Sequence, residues 1–198
     1  FKVVYRRHTN FSMEAIQQTF NGTVDFGKRV TATISRNGDL IHRCYLETNV
    51  TVGHVNNDIG ANLGSALIKE VELEIGGQRI DKHHGHWHET YHQLTEPNAT
   101  GSIIEMTTTP GSKTLFNKMS GNGAGVHSAT NAFSDNNING WKSEDHSVEL
   151  SNDEKLNGKF WIPLYFWFCR NPGLALPLIA LQYHEVKVKV NFEAIGEL

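Results

Sequence analysis

The stretch WIPLYFWFCRNPGLALPLIALQYHEVKVKVNF, Trp161–Phe192, decides the fold class. In its last part Val186, Val188, Val190 and Phe192 alternate with Lys187, Lys189 and Asn191. This is the period of two that sends successive side chains to opposite faces of a β-strand. One face is apolar and the other charged, which predicts a strand with one side on a core and the other in water. The front of the stretch differs. Counting from the preceding Phe160, the side chains of Phe160, Ile162, Leu164, Phe166 and Phe168 point one way and Trp161, Tyr165 and Trp167 the other. A strand apolar on both faces has to be covered on both, by its own domain or by a partner.

Working outward, the same period recurs. Val71, Leu73 and Ile75 alternate with Glu70, Glu72 and Glu74, and Val30, Ala32 and Ile34 with Arg29, Thr31, Thr33 and Ser35. The three glutamates are expected as a solvated strand face, because exposed carboxylates stay ionised and share no burial that would split their pKa values. Gly76-Gly77 predicts a hairpin after Ile75, and Asn37-Gly38 predicts another between the Val30 strand and the run 40–52. Asn21-Gly22 marks the end of an expected N-terminal strand over 13–20. Helix is confined to a turn at 66–69 and a short amphipathic stretch at 87–94. From about 95 to 157 the chain is rich in Gly, Ser, Thr and Asn, with short strands or turns expected at 103–106 and 148–150; at that length it reads as a loop insertion. Many short strands, tight turns and one long excursion predict a β-sandwich.

The 198 residues suffice for one substantial core, so a single domain is expected over 1–198. A net charge of −3 offers no field for nucleic acid, and direct nucleic-acid binding is not expected. No apolar run approaches the ~20 residues of a membrane helix. Cys44 and Cys169, far apart and each inside an apolar run, read as buried free thiols in a reducing compartment rather than as a disulfide framework. The chain begins at Phe1 without a start methionine or signal peptide, which suggests a piece of something longer. Sequons at Asn10, Asn21, Asn49 and Asn98 are the number that chance supplies in so Asn- and Thr-rich a chain.

The segment His83–His92 concentrates five of the eleven histidines. His88-Glu89-Thr90-Tyr91-His92 fits H-E-x-x-H, in which a helix sets two imidazoles four apart for zinc and offers the Glu as general base. No third ligand is evident, and Pro97 and a Gly/Asn-rich loop follow almost at once. His86-x-His88 resembles the start of the cupin metal motif, but His92 and Gln93 stand where a Glu is needed. The plainer expectation is that Trp87 and Tyr91 anchor a short helix over a sheet opening while the histidines face solvent or a neighbour. Gly121–Gly125 lacks the Lys-Ser/Thr sequel of a phosphate loop, and there is no G-x-S-x-G elbow. No catalytic, cofactor-binding or metal-binding residue, and no cofactor, is therefore assigned.

Beyond these patterns, Trp161–Phe192 closely resembles the hallmark segment of the major capsid proteins of large nucleocytoplasmic double-stranded DNA viruses: an aromatic-rich strand, an Arg/Asn turn, a Leu/Pro-rich connection and a Tyr-His-Glu-led strand. Phe11–Glu47, with its RNGDLI turn, resembles the family's opening strands, and Ile68–Leu94 its central strand pair and helix, which more usually carries few histidines. The resemblance implies an all-β, eight-stranded jelly-roll β-sandwich with a long loop insertion at about 95–157, one of two rolls of a double jelly-roll subunit. The chain has the length of the first roll, and the second is expected to be absent from it. It further implies a structural, non-enzymatic capsid subunit, found in the virion and assembled in the host cytoplasm. The implied partners are copies of itself in a homotrimer, neighbouring pseudo-hexagonal capsomers and minor capsid proteins. The alternatives are a sugar-binding jelly roll, with Trp87, Trp141 or exposed tyrosines stacking on a sugar, and a metal-dependent hydrolase built on His83–His92.

Overall fold

The computed structural model describes residues 10–52, 63–96, 120 and 156–197. Eight strands lie within them: β1 (Arg29–Thr33), β2 (Leu40–Ile41), β3 (Cys44–Val52), β4 (Ile68–Ile75), β5 (Gln78–His84), β6 (Leu156–Leu164), β7 (Leu176–Pro177) and β8 (Val186–Phe192). They are accompanied by α-helices α1 (Leu63–Ala66), α2 (Gly85–Thr95) and α3 (Trp167–Arg170) and by short 3-10 turns at Pro172–Leu174, Ile179–Leu181 and Ile195–Glu197. The expected all-β architecture is found, although two of the strands are only two residues long.

One sheet has the order β1-β8-β4-β5, all antiparallel, with Val30 opposite Val190 and Val71 opposite both Val190 and His83. A long ladder joins β3 to β6, from Cys44 opposite Leu164 to Val52 opposite Leu156, and β2 pairs with β7. The period of two becomes burial directly. Val186, Val188, Val190 and Phe192 enter the core, where they meet Val30, Val71 and Leu73 from the same sheet and Leu46, Phe160, Ile162 and Leu164 from the β3–β6 ladder. Two layers thus share one core, the arrangement in which a sheet hides its apolar face on another.

The outer face of the four-stranded sheet corrects the expectation of a solvated glutamate row. Glu72 is only 7% exposed, because Arg29 from β1 and Arg79 and Lys82 from β5 close over it. Lys189 pairs with Glu74, and Lys82 reaches Glu70 at 2.5 Å. The Lys82 ammonium holds the Glu70 carboxyl below its usual range. Opposite charges on neighbouring strands, which the single-strand pattern does not reveal, turn the row into a cross-strand network.

Turn chemistry succeeds at one site and fails at another. Gly76 and Gly77 take φ of 59° and 85° between Ile75 and Gln78, the doubly left-handed pair of a two-residue hairpin. Asn37-Gly38 forms no hairpin: β1 pairs with β8 and β2 with β7, so the chain changes sheets there. Nor is 13–20 a strand. It has no regular secondary structure, with Gln18 bonded to Ser35 and a single bridge between Asn21 and Thr31 just beyond it. The apolar run 160–168 is a strand only to Leu164, after which the chain winds into α3. Its alternation survives the break, with Phe166 and Phe168 fully buried. The short strands expected at 103–106 and 148–150, and nearly all of the insertion at 95–157, lie outside the described residues.

Candidate functional site: the histidine helix and its aromatic floor

Helix α2 starts against the backbone of its neighbours. A Cβ on Gly85 would stand 2.3 Å from the Ser65 carbonyl oxygen and 2.4 Å from that of Ile68, so the first residue of the helix has to be glycine for α1, β4 and α2 to meet. From that contact the 3.6-residue period turns His88 and His92 inward, at 1% and 0% exposure, while His86 remains exposed. The two histidines of the H-E-x-x-H pattern do share a helix face, as that motif requires. The expectation that the histidines face solvent or a neighbour holds for the exposed His84 and His86 and fails for His88 and His92, which are buried within the chain.

What His88 meets there is aromatic. The His88 ring stands edge-on to His83 at 5.7 Å and to Tyr165 at 5.6 Å between centroids. His83, from the end of β5, stacks on Phe166 at 5.1 Å and places Nε2 3.2 Å from an Asp81 carboxylate oxygen. Neither ring nitrogen of His88 has a hydrogen-bond partner among the described residues. Burial, then the neighbouring His83, lowers the His88 pKa to about 3, so the ring is neutral at physiological pH. Burial also pulls His83 down, opposed by Asp81. On the same helix, Glu89 accepts from Gln93 Nε2 at 2.9 Å.

Among the described residues, no group of three or more His, Cys, Asp and Glu side chains could hold a metal ion. A zinc hydrolase needs three protein ligands and an open position for water. His88 and His92 supply two imidazoles on one helix face and Glu89 a nearby carboxylate, and the third ligand is missing from the described residues. His84 instead places Nδ1 3.3 Å from the Lys69 carbonyl oxygen.

Beside the histidines lies a patch that no periodicity along the chain foreshadows. Tyr91 packs on Trp87 at 5.5 Å and on Tyr165 at 4.8 Å, and the Arg170 guanidinium sits 4.9 Å from the Tyr91 ring centroid and 5.8 Å from that of Trp87. Trp87 and Tyr91, expected to anchor the helix, make these ring contacts, but Trp87 is left 38% exposed and the buried side chains of the helix are His88 and His92. Arg170 carries no periodic signal, and only the break at α3 brings it to these rings. Trp141, the other tryptophan considered for sugar stacking, lies outside the described residues.

Comparison with known proteins assigns the chain. The family described as "Major capsid protein N-terminus" matches residues 1–198. The chain belongs to this family. The major capsid protein of Pyramimonas orientalis virus is 45% identical over 201 residues, covering 97% of this chain and 40% of that protein. The major capsid protein of Paramecium bursaria Chlorella virus 1 is 40% identical over 188 residues, covering 95% of this chain and 34% of the relative. The chain therefore spans well under half the length of these curated relatives. In three dimensions, the PBCV-1 virus capsid superposes with a TM-score of 0.60 at 36% identity, over 98% of this chain and 38% of that one. The sandwich is thus the capsid jelly roll expected from the hallmark segment. No helix among the described residues is long and apolar enough to cross a membrane.

Proposed function

We propose that this chain is the first jelly roll of a double jelly-roll capsid subunit, and that its part is to build a wall rather than to run a reaction. The observation that carries this reading is the match of residues 1–198 to the N-terminal family of major capsid proteins, together with the superposition of 98% of the chain on part of a capsid chain. The surface chemistry is compatible with it. Tyr183, Ile179, Met13 and Phe11 are large apolar side chains left 60–87% exposed, the kind of surface that symmetric neighbours cover. A closed shell needs many modest, repeated interfaces, and a catalytic pocket is no part of that requirement.

Three copies of the full-length subunit associate into a pseudo-hexagonal capsomer, capsomers tile an icosahedral shell with minor capsid proteins at their joints, and assembly precedes release, in the host cytoplasm. Sedimentation equilibrium of the full-length protein tests the first step. A trimer mass that persists on dilution is expected, and a protein monomeric at every concentration contradicts it.

A further inference from the structure

A helix ordinarily holds to a sheet by an apolar stripe. In α2 the buried positions are instead Gly85, His88 and His92. Its large apolar side chains lie elsewhere: Leu94 is 77% exposed, Trp87 stays at the surface beneath the Arg170 guanidinium, and Tyr91 is half-buried against Tyr165. The seat of the helix is therefore built largely of imidazole, which packs as an apolar ring only while it carries no charge. At His88 that condition is strict. The ring is buried edge-on to His83 and Tyr165, and a protonated ring would turn both of its nitrogens into donors with no acceptor among the described residues.

The charged and titratable groups around His88 supply no counter-ion. From β5 it meets His83, whose Nε2 stands 3.2 Å from Asp81, so that carboxylate serves the other imidazole. From the connection between β6 and α3 it meets Tyr165, whose hydroxyl is kept neutral by burial and then by Glu96. Arg170 on α3 adds positive charge that acts on His83. On α2 itself Glu89 accepts from Gln93, and His92 is buried one turn further on. Helix α1 brings no ionisable side chain, and on β4 Lys69, Glu70, Glu72 and Glu74 pair with Glu193, Lys82, Arg29 and Lys189.

We propose that α2 is a proton-operated latch, closed on the roll while His88 is neutral and released as a unit about Gly85 when acid charges that ring, with the sheets left standing. No residue of α2 belongs to a strand ladder, so its release breaks no strand pairing. Gly85, set against the Ser65 and Ile68 carbonyl oxygens, is the end of the helix that stays in place. Once released, His88 regains water and titrates near ~6.5. In the closed state burial, then His83, holds it well below that value. The released state thus binds a proton that the closed state refuses, and its population grows about tenfold for each pH unit below about pH 6.5. The buried His83, also lowered when closed, adds in the same direction if it is freed with the helix.

The test is amide hydrogen exchange of the full-length protein at about pH 7 and about pH 4.5, each in a series of urea concentrations too low to unfold it, with rates corrected for the intrinsic effect of pH on exchange. The expected result is that the α2 amides open separately from those of β8, with a much weaker dependence on urea, and lose at least about 100-fold in protection between the two pH values. In His88→Leu the same loss should be smaller by about 100-fold. The proposal is overturned if the α2 amides exchange only together with those of β8 and with the same urea slope, if acid leaves their protection unchanged, or if His88→Leu loses as much as the wild type. Should the variant fail to fold, the pH and urea series on the wild type decides the matter through the first two outcomes.

Discussion

Acidification should weaken this protein through His88, and the size of the effect follows from its surroundings. The side chain is 1% exposed, between the edges of His83 and Tyr165, with its pKa lowered to about 3. An imidazole in the unfolded chain titrates near ~6.5. Between these values the unfolded state binds a proton that the native state refuses, so stability falls as pH falls. The effect is absent above about pH 6.5 and grows by about 1.4 kcal/mol per unit below it, reaching roughly 3 kcal/mol near pH 4.5. His83 is lowered too and adds in the same direction, and Glu70, held down by Lys82, loses its own contribution on protonation. The total slope therefore does not isolate His88, but its difference from a His88→Leu variant does. Leucine roughly keeps the volume and removes both ring nitrogens, which have no partner among the described residues. Urea unfolding of both proteins at about pH 7 and about pH 4.5 should show the gap moving in favour of the variant by about 2 to 3 kcal/mol. Parallel losses in the two proteins would refute the assignment of a buried neutral imidazole.

Three further substitutions probe the scaffold. Gly85→Ala should destabilise by about 1 to 3 kcal/mol in chemical denaturation, since its methyl meets two backbone oxygens that cannot yield without parting α2 from α1 and β4; a neutral result would show that the contact is loose. Phe166→Ala removes a fully buried ring stacked on His83 and Phe168, and should cost about 3 to 5 kcal/mol by the same assay. Glu72→Gln leaves Arg29, Arg79 and Lys82 without their shared carboxylate; because these cations are half-exposed, about 1 kcal/mol is expected, shrinking in high salt, and a loss indifferent to salt would point to packing instead.

The parts of the fold that local chemistry dictates could be read from the chain. Alternation at 186–192 and 70–75 became strands with the expected faces inward, and Gly76-Gly77 became a hairpin because few other residues accept two successive positive φ values. Asn37-Gly38 misled because a turn sequence fixes a change of direction and not the strand that follows: β1 finds its partner in β8, at the other end of the chain. The run 160–168 misled in a related way, since alternating burial continues through a helix start when the side chains keep facing one core. At the site, the spacing of His88 and His92 correctly placed them on one helix face. The burial of His88 was invisible, because Tyr165 arrives against it from a distant segment. The cover over Glu72 is likewise a long-range pairing with no local signature. Family resemblance supplied what periodicity could not, the step from a β-sandwich to the capsid jelly roll.

The most direct measurement is a cryo-electron-microscopy reconstruction of intact particles containing the full-length protein. The account predicts density for this jelly roll repeated in the shell, three copies to each capsomer, with β1-β8-β4-β5 and β3-β6 standing as its walls. Particles whose shell contains no copy of this chain would contradict it.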